Sequence, residues 1–351
     1  MKINFNNYVE LVETHGGIRA AAKVAGLPYS TFHGRYVKAL ALEYGAKSVT
    51  LRLDKDSNEL RPYYLKTDSS KGNVNETLTN FDFSSVVPFP VTSLKSELSD
   101  KCLVIPICDL HIGNQCHKAQ NNDSDWNLDI VRREFPLMVA ELINDTRYDE
   151  IVIAINGDFM HFDSAVRAET PVSGHNLSSS GYFGDIVKTS LELASNAIIQ
   201  AVASANRVTV SVISGNHDEA SGYWIREYLK VAFVNHSTVN FLEPKVHISS
   251  FTYGDSVMYF YHGDKLKFKD APAKLPAIFP ETYGALYKYG VSGHFHHIEV
   301  KEDNGFTNIM VNSLCPNDDY SAKGCYISRR CLTGLVLSRD KGVKAFNFAV
   351  P

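Results

Sequence analysis

Cys102-Leu103-Val104-Ile105-Pro106-Ile107-Cys108-Asp109-Leu110-His111 sets the reading of the chain. Its first seven residues, apolar throughout, are of the kind found in strands buried on both faces, and they run directly into an Asp-x-His triplet. The arrangement returns four times. Ile151 to Asn156 leads into Gly157-Asp158, Val208 to Ser214 into Gly215-Asn216-His217-Asp218, Val257 to Tyr261 into His262-Gly263-Asp264, and Tyr289 to Ser292 into Gly293-His294-Phe295-His296. Helical periodicity occupies Leu128 to Asn144, Asp185 to Ala205 and Tyr223 to Phe233. Strands alternating with helices predict an α/β fold with the polar motifs at the carboxyl ends of the strands, where open sheets place their sites. From Thr307 onward the pattern predicts further strands without helices.

Oxygen and imidazole ligands converging from several strand ends are what a pair of divalent metal ions requires. Any one of these short strings is common in turns, but all of them in order, each after a strand, is specific. Hydrolysis of a phosphate ester is the leading expectation.

The order and residue types resemble the calcineurin-like metallophosphoesterases, whose pattern is D-x-H, GD, GNH[DE], H and GHxH, over roughly Cys102 to Asn312. The resemblance implies a four-layer α-β-β-α sandwich and two divalent ions, manganese first, with iron or zinc as alternatives. One ion would be held by Asp109, His111, Asp158 and His296, the other by Asp158, Asn216, His262 and His294, with Asp158 bridging. It further implies in-line attack of a metal-bound hydroxide on phosphorus, His217 at the leaving-group oxygen, and Asp218 orienting the His217 imidazole. His161 stands where GDxxD members carry a second Asp and resembles the SbcD-type DNA-repair nuclease branch, which makes it a catalytic candidate. The alternative is a structural role beside the site, with Asp163 as an orienting group.

Residues 7–45 read as helical. Ile18 to Ala25 and Tyr29 to Tyr44 form two helices broken by Gly26-Leu27-Pro28, which predicts a helix-turn-helix. Ala22, Leu27 and Phe32 would face inward, while Ser30, Thr31, His33, Arg35 and Lys38 are the side chains a recognition helix would present to DNA. A small helical bundle for partner contacts is the alternative. Ser48 to Lys66 reads as a β-hairpin, a wing on that module, and residues 67–100, rich in Ser, Thr and Asn, as a linker to a catalytic domain over 101–351.

A formal net charge of -4 argues against a uniformly basic surface and leaves a local basic face open. The composition, 44% hydrophobic, is ample for a large core. Cys102, Cys108, Cys116, Cys315, Cys325 and Cys331 contain no C-x-x-C pair and read as reduced structural residues. Neither a signal-peptide core nor a run of about 18 apolar residues is present, so a soluble cytoplasmic protein with no membrane partner is expected, in the host cytoplasm if phage-encoded.

Three further groups have two readings each. Arg167, His175 and Tyr182 lie in a polar loop that either meets substrate or is a surface insertion. Tyr223 and Trp224 either face a base or pack their helix, and Lys265, Lys267 and Lys269 form either a basic rim or solvated charge. His15, His33, His117, His236 and His247 read as surface or packing histidines.

A metal-dependent nuclease or phosphodiesterase brought to DNA by the N-terminal module is therefore the first expectation. A phosphomonoesterase or small-molecule phosphodiesterase acting on nucleotides or phosphoproteins is the second, and a non-enzymatic DNA-binding protein with a vestigial site the third. DNA is the expected partner; a homodimer and a partner ATPase stay open.

Overall fold

The computed structural model describes residues 11–12, 14–15, 18–43, 48–53, 60–66, 100–121, 124–144, 146–317, 324 and 327–351. The chain divides into two compact units, Met1–Val87 and Pro88–Pro351. Almost all of the expected linker, residues 67–99, and Cys325 lie outside the described residues.

In the smaller unit, α1 (Ile18–Val24) and α2 (Tyr29–Glu43) flank the turn at Gly26, which takes φ 66°, a conformation that favours glycine. Ile18, Ala21, Ala22, Phe32, Tyr36 and Ala39 form the core of this unit. Small Ala21 and Ala22 let the helices approach where the Phe32 ring fills the crossing. The strands β1 (Ser48–Leu53) and β2 (Leu60–Lys66) pair antiparallel, as the hairpin reading expects.

In the larger unit, β3 (Lys101–Ile107), α3 (Leu128–Ile143), β4 (Tyr148–Asn156), α4 (Phe183–Ser204), β5 (Ala205–Ile213), α5 (Ser221–Ala232) and β6 (Val239–Phe241) alternate. After them come β7 (Ser249–Tyr253), β8 (Ser256–Phe260), α6 (Ala271–Ile278), β9 (Tyr287–Ser292), β10 (Glu299–Asp303), β11 (Phe306–Met310), β12 (Leu332–Ser338) and β13 (Gly342–Ala349). Two sheets result, in the orders β13-β12-β3-β4-β5-β6 and β10-β11-β9-β8-β7. Strands β3 to β6 run parallel, and β8 pairs parallel with β9.

The sheets pack face to face through Val104, Val152 and Leu335 of one and Phe251, Met258, Phe260, Val291 and Ile309 of the other. Helices α3, α4 and α5 cover the outer face of the six-stranded sheet. On the five-stranded sheet, Val257 and Tyr259, alternating with the core-facing Met258 and Phe260, meet Leu275 of α6 and Phe279 just beyond it. The result is four layers, α-β-β-α. Because β3 and β4 are covered on both faces, six of the seven residues of β3 are buried, which is why that strand shows no alternation of polar and apolar residues.

Helix α3 starts where Asn127 Oδ1 accepts the Ile130 N–H at 2.9 Å. It buries Leu128, Val131, Phe135, Met138, Val139 and Leu142, the stripe of an amphipathic helix. Phe135 meets Phe159 edge to face with centroids 6.4 Å apart, so this helix buttresses the loop that carries Asp158. The start of α5 is held by Asp163, whose carboxylate accepts the N–H groups of Ala220 and Ser221 and the Ser221 hydroxyl. That carboxylate serves helix geometry, which corrects the expectation of an orienting role beside His161.

Candidate metal centre

Residues that follow β3, β4, β5, β8 and β9 meet at one end of the two sheets. Beyond their last strand residues, β3 and β4 stay zipped: the N–H groups of Asp109, His111 and Ile112 donate to the carbonyls of Gly157, Asp158 and Phe159 at 3.2, 2.9 and 2.8 Å. The backbone then turns sharply. Asp109, His111, Asp158, His294 and His296 take φ of 54°, 46°, 51°, 71° and 57°, a left-handed conformation uncommon for residues with a Cβ. Five non-glycine residues held this way in one place store backbone strain that the surrounding packing must maintain.

Two glycines permit the crowding. A Cβ on Gly215 would strike the Asp158 carboxylate, and one on Gly293 would strike the Asp109 carboxylate and the Cys108 side chain. The Gly of each short motif is therefore the clearance that lets another loop's ligand sit against its backbone.

Asp109, His111 and His296 bring one ligand atom each within 4.8 Å of one another, and Asp158, His262 and His294 do the same. In the first group, His111 Nε2 lies 3.3 Å from His296 Nε2, and His296 Nε2 lies 3.5 Å from Asp109 Oδ1. Asp109 Oδ2 accepts the His294 N–H at 2.8 Å, but buried Oδ1 has no hydrogen-bond donor. An unpaired carboxylate oxygen in the interior costs several kcal/mol, roughly, unless a cation answers it. The donor set thus fits a divalent ion.

In the second group, His262 Nδ1 donates to the Asn156 carbonyl at 3.0 Å, which turns Nε2 toward Asn216 Oδ1 and Asp158 Oδ2, each 3.1 Å away. Burial opposes charge on His262, but Asp158 overcomes it and pushes the imidazole up to about 10. Asp158, although burial raises it, is held well below the usual carboxylate range by His262 and His217. Burial, and then the neighbouring His217, push His111 well down, so it presents a neutral ring. Burial and the charge on His262 lower His294 as well.

His217 N–H donates to Asp158 Oδ1 at 2.8 Å, and His217 Nδ1 meets the His161 carbonyl at 2.8 Å. That bond fixes the ring and leaves Nε2 as its second functional atom. His217 is partly exposed, whereas His161 is 2% exposed, stacked on it at 5.4 Å, with Nδ1 3.2 Å from His111 Nδ1. His161 thus sits behind His111, where it holds that ring with Nε2 directed at His296.

Asp218 departs from its expected role. Fully buried, it accepts the N–H groups of Asp158, Phe159, Met160 and Gly215 at 2.8–3.2 Å and makes no bond to the His217 imidazole. Burial and the charge of Asp158 push it up to about 7 against the pull of the Gly215 N–H, the charge on His262 and the Met160 N–H. Its function is to shape the Asp158 loop and tie it to the Gly215 turn; the His161 carbonyl does the orienting.

Sequence reasoning missed Asn156 and Ser313. Asn156 is the one polar residue in the run Ile151 to Asn156, a usable signal, and its carbonyl sets the His262 tautomer. Ser313 Oγ donates to the Asp109 carbonyl at 2.6 Å and carries no pattern of its own.

Of the DNA-contact candidates on α2, Thr31, Arg35 and Lys38 are exposed and His33 is partly buried; the Ser30 side chain lies outside the described residues. Thr31, Arg35 and Lys38 share one stripe of the helix, beside the buried Phe32, Tyr36 and Ala39. In the polar loop, Arg167 and His175 are exposed and Tyr182 begins α4. Tyr223 is 50% exposed and Trp224 is partly buried. His15, His117 and His236 are exposed, as surface histidines should be. Among the described residues, Cys102, Cys108, Cys116, Cys315 and Cys331 are buried and none is in a disulfide, and no helix is long and apolar enough to cross a membrane.

No family model and no curated protein matches the chain. Solved structures similar to it include an archaeal phosphodiesterase, 15% identical over 70% of this chain and 99% of that one, with a TM-score of 0.35. Vacuolar protein sorting 29 of Cryptosporidium parvum is 14% identical over 72% and 99%, TM-score 0.33. The same protein of Entamoeba histolytica, complexed with zinc, is 13% identical over 70% and 98%, TM-score 0.27. At such low overlap, the chemistry has to be read from this chain's own side chains.

Proposed function

We propose that the larger unit is a metal-dependent phosphoesterase of the calcineurin-like type that cleaves phosphodiester bonds, with DNA as its substrate and α2 of the smaller unit as a DNA-contact helix. The observation that carries this reading is the pair of Asp/His groups at adjoining strand exits, one of which leaves a buried carboxylate oxygen without a donor. Asp109, His111 and His296 would hold one divalent ion and Asn216, His262 and His294 the other, with Asp158 shared between them. When bound, the ions supply Lewis acidity toward phosphate oxygens and lower the pKa of a nearby water.

The protein's own groups do the rest. Asp218 and the Gly215 turn fix Asp158 in its strained conformation, so its carboxylate needs no reorganisation during the reaction. His217, anchored through Nδ1, delivers a proton from Nε2 to the departing oxygen. Manganese is the proposed metal, with iron or zinc as alternatives, because Asp, His and Asn donors hold all three and availability decides between them.

The test is manganese-dependent hydrolysis of end-labelled single- and double-stranded DNA beside a chromogenic phosphodiester, with His217→Ala and Asp158→Asn as controls. Cleavage of DNA lost in both variants is the expected result. Turnover of the chromogenic ester alone would replace DNA by a small or protein-bound phosphate, and no turnover of any ester by the manganese-loaded protein would overturn the hydrolase reading.

A further inference from the structure

The loops that turn imidazoles inward also turn two aromatic rings outward. Phe295 lies between His294 and His296, both with left-handed backbone, and is 54% exposed. Its ring stands at 74° to that of His294, with centroids 4.8 Å apart, so it is held by a metal-site residue. Tyr223, on the first turn of α5 just after the Asn216-His217-Asp218 motif, has the Arg226 guanidinium 5.6 Å above its ring and His247 6.0 Å away.

The segment Gly263–Lys265 links the two rings. A Cβ on Gly263 would lie 3.3 Å from the His294 Cβ. Lys265 Nζ reaches Glu219 at 3.1 Å, and its ammonium is favoured first by that bond and also by Asp264 and Tyr223. Phe295, beside His294, and Tyr223, beside Lys265, therefore form an exposed aromatic border whose neighbouring cations are already paired, Lys265 with Glu219 and the largely buried Arg226 with Glu227 at 3.0 Å. Small inorganic or alkyl phosphates make no use of such a border. Bases do, because every nucleobase offers a π-face to stack.

We propose that Phe295 and Tyr223 form a stacking subsite for unpaired nucleobases, so that the substrate is a phosphodiester bearing accessible bases, as in single-stranded DNA or a frayed duplex end. This inference rests on the phosphoesterase reading and deepens it, since it names what is attached to the phosphate. Stacking tolerates any base, so the subsite selects strand state and not sequence.

The experiment compares, for the full-length manganese-loaded protein, a short single-stranded oligodeoxynucleotide with the same backbone carrying abasic tetrahydrofuran units. Equilibrium dissociation constants and cleavage rates are both measured. The wild type should bind the base-bearing strand about tenfold more tightly, the effect of one stacked base. Phe295→Ala should bring that ratio close to one, Phe295→Trp should restore it, and Tyr223→Ala should reduce it by a smaller factor. Metal content of each variant verifies that the site is intact.

Equal binding of both oligomers by the wild type, or equal loss for both in Phe295→Ala, overturns the subsite. A base-dependent dissociation constant with no cleavage of either oligomer and no turnover of the chromogenic phosphodiester overturns the hydrolase reading and leaves the subsite standing. Cleavage without base dependence does the reverse.

Discussion

The two halves of the candidate metal centre are built from similar residues but differ in how they stand without metal. Around Asp158, the His262 imidazole faces the carboxylate at 3.1 Å and carries a proton in place of a cation. Around Asp109, one carboxylate oxygen is buried with no donor, and the nearby His111 ring is held neutral. One half compensates its own charge; the other depends on an ion from outside. Metal removal should therefore strain the Asp109 half and relax the Asp158 half, an asymmetry that substitutions can expose.

The largest effect is expected at Asp158. Asp158→Asn removes the carboxylate shared by both proposed ion sites and should lower phosphodiester turnover by about a thousandfold or more, as loss of a central electrostatic group does. In metal-free protein the two Asp-to-Asn changes should diverge in sign. Asp158→Asn removes the charge that holds the proton on His262, so the buried pair is lost and the protein should be destabilised by about 3–5 kcal/mol. Asp109→Asn places an amide where an orphan oxygen faces His296 Nε2 and should stabilise by about 1–3 kcal/mol. Thermal unfolding in chelator reads both, and a destabilised Asp109→Asn would refute the asymmetry.

Acidity sharpens the contrast. His262 is raised from 6.5 to about 10 in the folded state, so its contribution is complete below about pH 6.5 and fades as pH climbs toward 10. Asp158 is depressed below 3.8, so its contribution is present above that value and is lost as pH falls through its folded value. The metal-free Asp158 half should thus be most stabilising between about pH 4 and 6.5. A metal ion must displace the His262 proton, whereas neutral His111 has none to give. Metal titration at pH 8 in buffers of different ionisation enthalpy should show about one proton released, traceable to the Asp158 half by its loss in His262→Gln. Zero release would show that the half is already deprotonated.

His161 offers a more local test. Its Nδ1 faces His111 Nδ1 at 3.2 Å, and groups behind a metal-ligating histidine typically tune affinity by about 10–100-fold. His161→Ala should weaken the first metal equivalent by that factor and leave the second nearly unchanged, while His161→Gln recovers part of it. If turnover collapsed with both metals bound normally, His161 would be acting on substrate and not through His111.

The clustering of the proposed ligands was legible because each follows an apolar run that has to be a strand, and a strand's end fixes where its next residue points. Their supports were less so. Asp218 neighbours His217 in sequence, yet its carboxylate faces the backbone of Asp158 to Met160, a pairing settled only when two loops meet. Helix α6 contains Pro272 and Pro276, which suppress helical periodicity as read from sequence. Strand β10 is exposed at all five positions, so no alternation announces it. The stripe Thr31, Arg35 and Lys38 was legible because helical period alone places it, although period says nothing of what binds there.

The smallest effect separates fold from site within a single carboxylate. Asp163 sits five residues past Asp158 and serves the start of α5, accepting the Ala220 N–H at 2.6 Å and the Ser221 N–H at 3.0 Å. Replacing a helix-capping carboxylate with alanine costs about 0.5–2 kcal/mol. Asp163→Ala should therefore lower the unfolding midpoint in chelator and in manganese alike, because the groups it serves are backbone amides and not metal ligands. A drop confined to the metal-loaded protein would mean that the start of α5 transmits its geometry to Asn216 and His217, and would join this helix to the metal centre as a working part.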